Sequence, residues 1–394
     1  MQERLLAPKL LEYARRYPVV TLTGPRQSGK TTLCRAVFPS LPYVNLESPA
    51  EREWAQTDPV SFLGRFRDGA VFDEIQRTPD LLSSIQVAVD ADPRPGRFIL
   101  TGSQNFRVRS GVSQSLAGRT ALATLPPFSV HEAWGDAPPD LWTTVWTGFF
   151  PRIHDRRLPP MEALSFYVET YLERDVRDLL AVRHFSDFFR FLRLCAGRTA
   201  QVLNAASLAA DVGIAPKTAQ EWLSILEASY VVHRLPPWFA NIRKRLSKAP
   251  KIHFLDTGLV CCLLGIRSPE ELATHPLRGA LFETFVVGEA WKRKCAFALP
   301  DDLFHYRDGS GAEIDLVEDG AVTPTLMEIK SGQTPSADWA ASLCRLAPLF
   351  PRPPALRIIY GGDARQNRAA AQFVPWRDFC AEMASPPHPT TPSA

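Results

Sequence analysis

Up to residue 125 the chain alternates between short apolar runs and segments with helical spacing. The β-branched run from Val19 to Thr23 predicts a buried strand, and apolar runs over 43–47, 69–74 and 97–101 predict three more. Apolar residues at helical spacing precede the first strand, between Leu5 and Tyr13, and follow it over 32–38. This repeated strand–helix order predicts an α/β domain with a mostly parallel sheet covered on both faces.

The pattern changes after residue 155. Helical spacing extends from Ala163 to Leu194, a short helix ends at Gly213, a second runs from Lys217 to Ser229, and a strand follows over 230–235. Two helices across a tight turn and then a strand predict a winged-helix-like module. A helix over 279–294 and two strands over 312–317 and 325–330 predict a smaller α/β domain. We therefore expect domains over 1–155, 156–275 and 276–384, with a disordered Pro/Ser/Thr-rich tail over 385–394.

Composition adds limits to this organisation. A chain of 394 residues is too long for one compact core, and its net charge of +3 permits contact with nucleic acid without arguing for it. The seven cysteines form no C-x-x-C pair and no zinc spacing, which indicates buried thiols in a reducing compartment. No apolar run is long enough to cross a bilayer. We expect a soluble, cytoplasmic protein without membrane contact.

The loop after the first predicted strand is rich in glycine and ends in a lysine and a threonine. It reads G-x-x-x-x-G-K-T between a strand and a helix, and its nucleotide-binding candidates are Gly24, Pro25, Arg26, Gln27, Ser28, Gly29, Lys30, Thr31 and Thr32. Glycines allow a tight turn whose N–H groups face a polyphosphate. Lys30 can reach the β- and γ-phosphates, and the Thr31 hydroxyl can hold Mg²⁺. The competing interpretation, a plain glycine turn, does not explain the matched flanks.

Polar residues end the next predicted strands. Asp73 and Glu74 close the run over 69–74; the first can support Mg²⁺ and the second can polarise the attacking water. Ser103, with Asn105 second, follows the strand over 97–101 and either senses the γ-phosphate or caps the next helix. Arg119 is a candidate for stabilising transition-state charge in its own subunit or a neighbour's, with a plain surface role as the alternative.

Several segments together resemble a family of prokaryotic AAA-type ATPases whose members are mostly known only as ATP-binding proteins. The matching segments lie over 24–32, 71–76, 100–103, 115–119, 148–151, 167–176 and 251–259. The resemblance implies ATP and Mg²⁺ as ligands. It also implies self-association through the ATPase domain, in which one subunit's arginine completes the next subunit's site. The stretch over 251–259 matches the family without revealing its purpose.

The middle of the chain offers candidates for DNA contact. Lys217, Thr218 and Gln220 fall where a recognition helix would meet a major groove. The strongest positive run, over 241–251, contains Arg243, Lys244 and Arg245, which could follow a phosphate backbone. A lid or packing module, and a solvated charged loop, are the alternatives.

The last domain resembles the PD-(D/E)xK, or restriction-endonuclease-like, fold. Asp315 lies on one predicted strand, Glu328 and Lys330 form E-x-K on its hairpin partner, and Glu283 lies on the preceding helix. In that fold the acids bind Mg²⁺ and the lysine activates water for attack on a phosphodiester. A surface ion pair between Glu328 and Lys330 is the alternative explanation.

The sequence therefore favours an ATPase that couples ATP hydrolysis to a DNA-directed module, with Lys30, Asp73, Glu74, Ser103 and Arg119 as catalytic candidates. The alternative is a nucleotide-gated regulatory protein whose nuclease-like domain is inactive and recognises a partner. A small-molecule phosphotransferase would leave the long C-terminal half without a role.

Overall fold

The structure is a computed structural model, and it describes residues 2–103, 112, 115–172, 185–239, 248–320 and 322–387. The predicted basic residues Arg243, Lys244 and Arg245, the second choice Asn105, and most of the predicted tail lie outside these ranges. Across the described ranges, no helix combines the length and the apolar character that a bilayer crossing needs.

The amino-terminal part is built around a parallel sheet. Among the described residues its five strands lie in the order β2-β3-β4-β1-β5, and β1 pairs residue for residue with β4 and β5. The strands are β1 Val19–Thr23, β2 Tyr43–Asn45, β3 Ala70–Asp73, β4 Phe98–Gly102 and β5 Thr120–Thr124. The helices are α1 Ala7–Ala14, α2 Lys30–Val37, α3 Pro49–Thr57, α4 Pro59–Gly64, α5 Leu81–Ala91 and α6 Val130–Trp134. The predicted α/β fold is confirmed.

Helices cover both faces of this sheet, because successive side chains along each strand point to opposite faces. Val20 and Leu22 share one buried cluster with Leu10 of α1 and Leu33 of α2. On the other face, aromatic rings form the core: Phe72 of β3 lies 5.7 Å from Phe98 of β4 in a stacked arrangement. Fixing both faces holds the carboxyl ends of β1, β3 and β4 at one rigid edge.

The middle of the chain is mainly helical and contains a small antiparallel sheet. Its helices are α7 Leu141–Thr147, α8 Pro151–Arg156, α9 Pro160–Tyr167, α10 Phe185–Ala196, α11 Ala205–Val212, α12 Pro216–Ala228, α13 Thr257–Leu264 and α14 Pro269–Thr274, with a π-helical turn at Val168–Leu172. The strands β6 Gln201–Val202, β7 Val232–Leu235 and β8 Lys251–Phe254 lie in the order β6-β8-β7. Gly213, at a φ of +85°, ends α11 in the left-handed conformation that glycine adopts without strain.

The carboxyl-terminal part is a mixed sheet packed against a long helix. Within the described ranges the strand order is β13-β14-β12-β11-β10-β9, with β9, β10 and β11 antiparallel and β12 parallel to β11. The elements are α15 Arg278–Phe297, β9 Leu303–Arg307, β10 Glu313–Glu318, β11 Thr325–Lys330, α16 Ala341–Leu346, β12 Ala355–Tyr360, β13 Gln366–Asn367, β14 Gln372–Pro375 and α17 Trp376–Met383. Short 3₁₀ turns lie at Ile75–Arg77, Ala337–Ala340 and Ala347–Leu349.

The middle and carboxyl-terminal parts share one hydrophobic core. Phe149 stacks on Phe285 of α15 with ring centroids 5.9 Å apart, and the Thr199 and Thr284 hydroxyls are hydrogen-bonded at 2.8 Å. The predicted boundary at residue 275 precedes α15, which supplies much of this shared core. The boundaries themselves stay predictions.

Two segments singled out by the family resemblance contact each other. Asp256, which caps α13, accepts a hydrogen bond from the Phe149 N–H at 2.6 Å. A Cβ added at Gly258 would lie 2.8 Å from the Gly148 Cα, so the two backbones approach as closely as only glycine permits. The motifs over 148–151 and 251–259 thus have a shared packing role.

Candidate functional site

The glycine-rich loop leaves β1 at Thr23 and enters α2 at Lys30. Gly24 has a φ of +150°, and a Cβ there would lie 2.2 Å from the Leu125 carbonyl oxygen. Gly29 has a φ of +89° and precedes the first helical residue. Both positions therefore require glycine, and the resulting turn directs the loop and the amino end of α2 to the same side of the sheet.

Arg4 holds the base of this loop, although no sequence motif marked it. Its guanidinium donates to the Ser28 carbonyl at 2.6 Å and to the Pro126 carbonyl at 2.7 Å. It also pairs with Glu132, at 3.0 Å, and both side chains are 5% exposed. A buried charge is stable only when it is paired and hydrogen-bonded, so Arg4 keeps all of these contacts. They hold the loop, through Ser28, against α6, which carries Glu132. The partners are more than twenty residues away in sequence, so a local pattern could not reveal them.

Asp73, at the end of β3, lies beside the loop. The Thr31 hydroxyl donates to Asp73 Oδ2 at 2.7 Å, and the Tyr43 hydroxyl donates to the same oxygen at 2.5 Å. Burial, followed by this hydrogen bond, raises the pKa of Tyr43 above its ordinary value, which keeps the phenol a donor. Thr101 of β4 donates to the other carboxylate oxygen. Hydroxyl and carboxylate oxygens are ligands that suit Mg²⁺, so Thr31 and Asp73 fit that ion.

Glu74 follows directly and has a φ of +59°. Its Oε2 accepts a hydrogen bond from the Ser103 hydroxyl at 3.1 Å and another from Gln76. Ser103 therefore lies next to the predicted catalytic carboxylate. Its alternative role, as a cap of the following helix, falls on residues outside the described ranges.

A cavity of about 880 Å³ opens beside the loop. Loop residues Lys30, Thr31 and Thr32 line it together with Glu74. Its opposite wall is α8, which contributes the exposed arginines Arg152 and Arg156. Sequence reasoning missed both arginines, because the run over 152–158 has no motif and meets the loop only through the fold.

Arg119 is at the opposite edge of the sheet from the loop. Its carbonyl accepts the Val19 N–H, at the amino end of β1, whereas the loop follows the carboxyl end of that strand. Its guanidinium pairs with Asp90 on α5, with an Nη2–Oδ2 distance of 2.9 Å. A strand of five residues spans roughly 17 Å. The predicted action of Arg119 on its own subunit's nucleotide is therefore wrong, and its action on a neighbouring subunit stays a prediction.

The predicted nuclease residues do lie together, but with an additional partner. The ammonium group of Lys251, the first residue of β8, lies 2.8 Å from Glu283 of α15 and 3.7 Å from Asp315 of β10, and it also pairs with Glu313 of β10. Glu328 of β11 interacts electrostatically with Asp315 and, more weakly, with Lys251. Lys330 pairs with Glu328, with a distance of 2.6 Å from Nζ to Oε1. In the described part of the chain, no three His, Cys, Asp or Glu side chains are grouped so that they could hold a metal ion.

Charge within this carboxylate cluster shifts several pKa values. Burial raises the pKa of Glu283 to about 8 and that of Glu328 to about 7, and the Asp315 charge adds to both effects. Burial opposes the charge of Lys251, but the carboxylates of Glu283, Asp315 and Glu313 outweigh it and raise the pKa of the ammonium. At neutral pH Lys251 therefore stays charged, while Glu283 and Glu328 are partly protonated.

The predicted DNA-contact residues begin α12. Lys217 and Gln220 are exposed and Thr218 is half-buried, while Ala219 and Trp222 face the core. The outward side of this helix is thus polar, as is usual for a helix face in contact with solvent.

The glycine loop and the hydroxyl–carboxylate contact at the end of β3 define a P-loop nucleotide site. In agreement, residues 16–134 match the family described as "AAA domain". The chain thus has an AAA-type P-loop ATPase domain. Residues 138–270 and 278–379 match two domains of unknown function, DUF8612 and DUF4143.

Two curated relatives show the family of the whole chain. They are the uncharacterized proteins Mb2031c of Mycobacterium bovis and Rv2008c of Mycobacterium tuberculosis, each 35% identical over 361 residues, with 89% of this chain and 80% of the relative covered. The chain belongs to the family of these two proteins.

Solved structures give weaker likenesses. The Walker-type ATPase PABY2304 of Pyrococcus abyssi aligns with a TM-score of 0.46 at 17% identity, covering 65% of this chain and 94% of the other. The signal transduction ATPase PH0952 of Pyrococcus horikoshii aligns with a TM-score of 0.24 at 12% identity, covering 75% and 48%.

Proposed function

We propose that this protein binds ATP with Mg²⁺ and hydrolyses it. The observation that carries the proposal is the 2.7 Å hydrogen bond from the Thr31 hydroxyl to Asp73. It brings the two halves of a P-loop site to one point beside the cavity. A glycine turn without a nucleotide role would not need a buried carboxylate there.

Each residue has a role in this proposal. The loop N–H groups and Lys30 bind the phosphates. Thr31 and Asp73 hold Mg²⁺, which neutralises phosphate charge when bound. Glu74 orients the attacking water and accepts its proton, and Ser103, 3.1 Å from Glu74, responds to the γ-phosphate.

We also propose that Arg152 and Arg156 stabilise charge developing on the phosphates. They line the same cavity as Lys30, and guanidinium groups suit the geometry of phosphate oxygens. Because α8 lies beyond the segment that matches the AAA domain, contact between these arginines and bound nucleotide would transmit the state of the ATP site to the middle of the chain.

A second connection supports such coupling. The hydroxyl of Thr23, the residue before the loop, is hydrogen-bonded to the Tyr230 hydroxyl at 2.7 Å. Tyr230 lies between α12 and β7, so the loop and the proposed recognition helix are linked through one buried contact.

Our proposal for the molecule that responds to ATP rests on the features of the middle module. Two helices before an antiparallel pair of strands support a winged-helix-like fold, and the exposed Lys217 and Gln220 support DNA as its ligand. The mixed sheet and α15 support a nuclease-like fold for the last domain. The position of Lys251 favours the alternative in which that domain recognises a partner and does not cleave DNA.

ATP turnover measured with and without double-stranded DNA tests this proposal. We expect hydrolysis by the wild type, none by Lys30→Ala, and stimulation by DNA that disappears in the double variant Lys217→Ala/Gln220→Ala. Glu221→Ala, an exposed change on the same helix, is the matched control. Turnover that ignores DNA would contradict the DNA proposal and leave the ATPase proposal intact.

A further inference from the structure

The carboxylate cluster of the last domain receives a lysine from another part of the fold. Lys251 begins β8 of the small middle sheet, and its side chain is 2% exposed. Its Nζ lies 2.8 Å from Glu283 Oε1 and 3.7 Å from Asp315 Oδ1, and it also pairs with Glu313. One ammonium group thus contacts acids from both α15 and β10.

Both oxygens of Asp315 and one oxygen of Glu328 already have partners, whereas Glu328 Oε2 is buried without a hydrogen bond to any described residue. Asp315 Oδ2 accepts the Ile329 N–H at 2.8 Å, while its Oδ1 faces Lys251. Glu328 Oε1 accepts from Lys330 at 2.6 Å. A divalent ion needs several carboxylate oxygens turned toward one point, and the point that Glu283, Glu313 and Asp315 share is where the Lys251 ammonium lies.

We infer that the Lys251 ammonium is the resident cation of this cluster, in the position where a nuclease of this fold would hold its metal. The residues present therefore do not fit Mg²⁺ or Mn²⁺. A second cation would face an ammonium buried among the same acids, where water cannot screen the repulsion. The inference does not depend on ATP hydrolysis.

This arrangement gives the motif over 251–259 a purpose. Lys251 ties the middle sheet to the last domain by charge, and Asp256, five residues on, ties α13 to the backbone of Phe149. The lysine thus closes the acidic site and holds two parts of the chain together.

Binding of Mn²⁺ to the full-length protein without nucleotide tests the inference. The free ion is followed by electron paramagnetic resonance, and the number of bound ions is compared between variants. We expect Asp315→Asn to leave the number unchanged, because the cluster binds no metal in the wild type. We expect Lys251→Ala to gain one site, at least tenfold tighter than any in the wild type, and Lys251→Ala/Asp315→Asn to lose it.

Lys294→Ala is the matched control, because Lys294 is also buried and pairs with two acids, Asp302 and Glu318, each at 2.6 Å. We expect it to gain no site. Loss of one bound Mn²⁺ from the wild type on Asp315→Asn would overturn the inference, as would a folded Lys251→Ala that gains none. If Lys251→Ala does not fold, the wild-type and Asp315→Asn comparison decides by itself.

Discussion

The hydrogen bond between Thr23 and Tyr230 gives a measurable link between the ATP site and the middle of the chain. Tyr230→Phe removes only a hydroxyl, and Thr23→Val removes its partner with little change in shape. Both residues are buried, at 2% and 7% exposure. In Tyr230→Phe the Thr23 hydroxyl still reaches the Ala123 carbonyl at 3.3 Å, so it is not left without an acceptor.

These contacts set the expected magnitude. A buried hydrogen bond that loses one partner costs about 1 kcal/mol when the other partner keeps an alternative. The double-mutant cycle should therefore give a coupling energy of about 1 kcal/mol in the nucleotide-free protein. If ATP binding changes this contact, the coupling energy should shift by at least about 0.5 kcal/mol with bound nucleotide. By linkage, Tyr230→Phe should then change the Kd for ATP by about twofold.

Urea unfolding of the wild type, both single variants and the double variant measures the coupling energy, with and without a non-hydrolysable ATP analogue. Phe166→Leu, an exposed aromatic change, is the control for general effects. A coupling energy within about 0.3 kcal/mol of zero would refute the structural link. An equal coupling energy with and without nucleotide would refute transmission through Tyr230.

Three further predictions concern the cavity arginines, Arg119 and the carboxylate cluster. Arg152→Ala and Arg156→Ala should each lower ATP turnover about tenfold or more. Arg157→Ala should not, because the Arg157 side chain does not line the cavity, and equal effects of all three changes would contradict the role of α8. Arg119→Ala should leave the turnover of a single isolated chain unchanged, measured at protein concentrations below any self-association. Glu283 and Glu328 have pKa values of about 8 and 7 in the folded protein, against an ordinary value of 4.5. The folded state therefore binds protons that the unfolded chain has released, and stability should fall as the pH rises from 6.5 to 8. The slope is at most about 1.4 kcal/mol per pH unit for each group, and Glu283→Gln should reduce it; a melting temperature independent of pH in this window would contradict the protonation of the cluster.

The histidines near this cluster change stability below pH 6.5 and with the opposite sign. Burial lowers the pKa of His305 to about 4 and that of His253 well below its ordinary value of 6.5. At these histidines the unfolded chain binds protons below pH 6.5 that the folded protein does not, which lowers stability as the pH decreases toward 4. Between pH 6.5 and 4.5 the raised pKa values of Glu283 and Glu328 act in the opposite direction, so the histidine effect should be measured in Glu283→Gln/Glu328→Gln. The window from 6.5 to 8 separates the carboxylate effect from this one.

Features that depend on residues close together in the sequence could be predicted. The strand from Val19 to Thr23, the glycine loop and the strand ending at Asp73 are each encoded by neighbouring residues, and the structure has them within one or two positions. The closeness of Thr31 and Asp73 could also be predicted, because both are predicted to hold Mg²⁺ and the carboxyl ends of parallel strands meet at one edge of the sheet.

Features that depend on long-range packing could not be predicted. Arg152 and Arg156 reach the cavity beside the loop only because the fold brings α8 next to it, and Lys251 reaches Glu283 only because the middle sheet meets α15. The distance of Arg119 from the loop could not be predicted, because the sequence pattern did not reveal the strand that begins at Thr120. In this chain Arg119 comes just before β5 and lies at the amino edge of the sheet.

The central claim is that the loop and the Asp73–Glu74 edge form one hydrolytic site. Release of phosphate from ATP, together with the affinity for ATP, should be measured for the wild type, Lys30→Ala and Glu74→Gln. The account predicts turnover by the wild type, weakened binding by Lys30→Ala, and unchanged binding with turnover reduced about 100-fold or more by Glu74→Gln. Turnover by Glu74→Gln equal to that of the wild type, or wild-type affinity for ATP in Lys30→Ala, would contradict it.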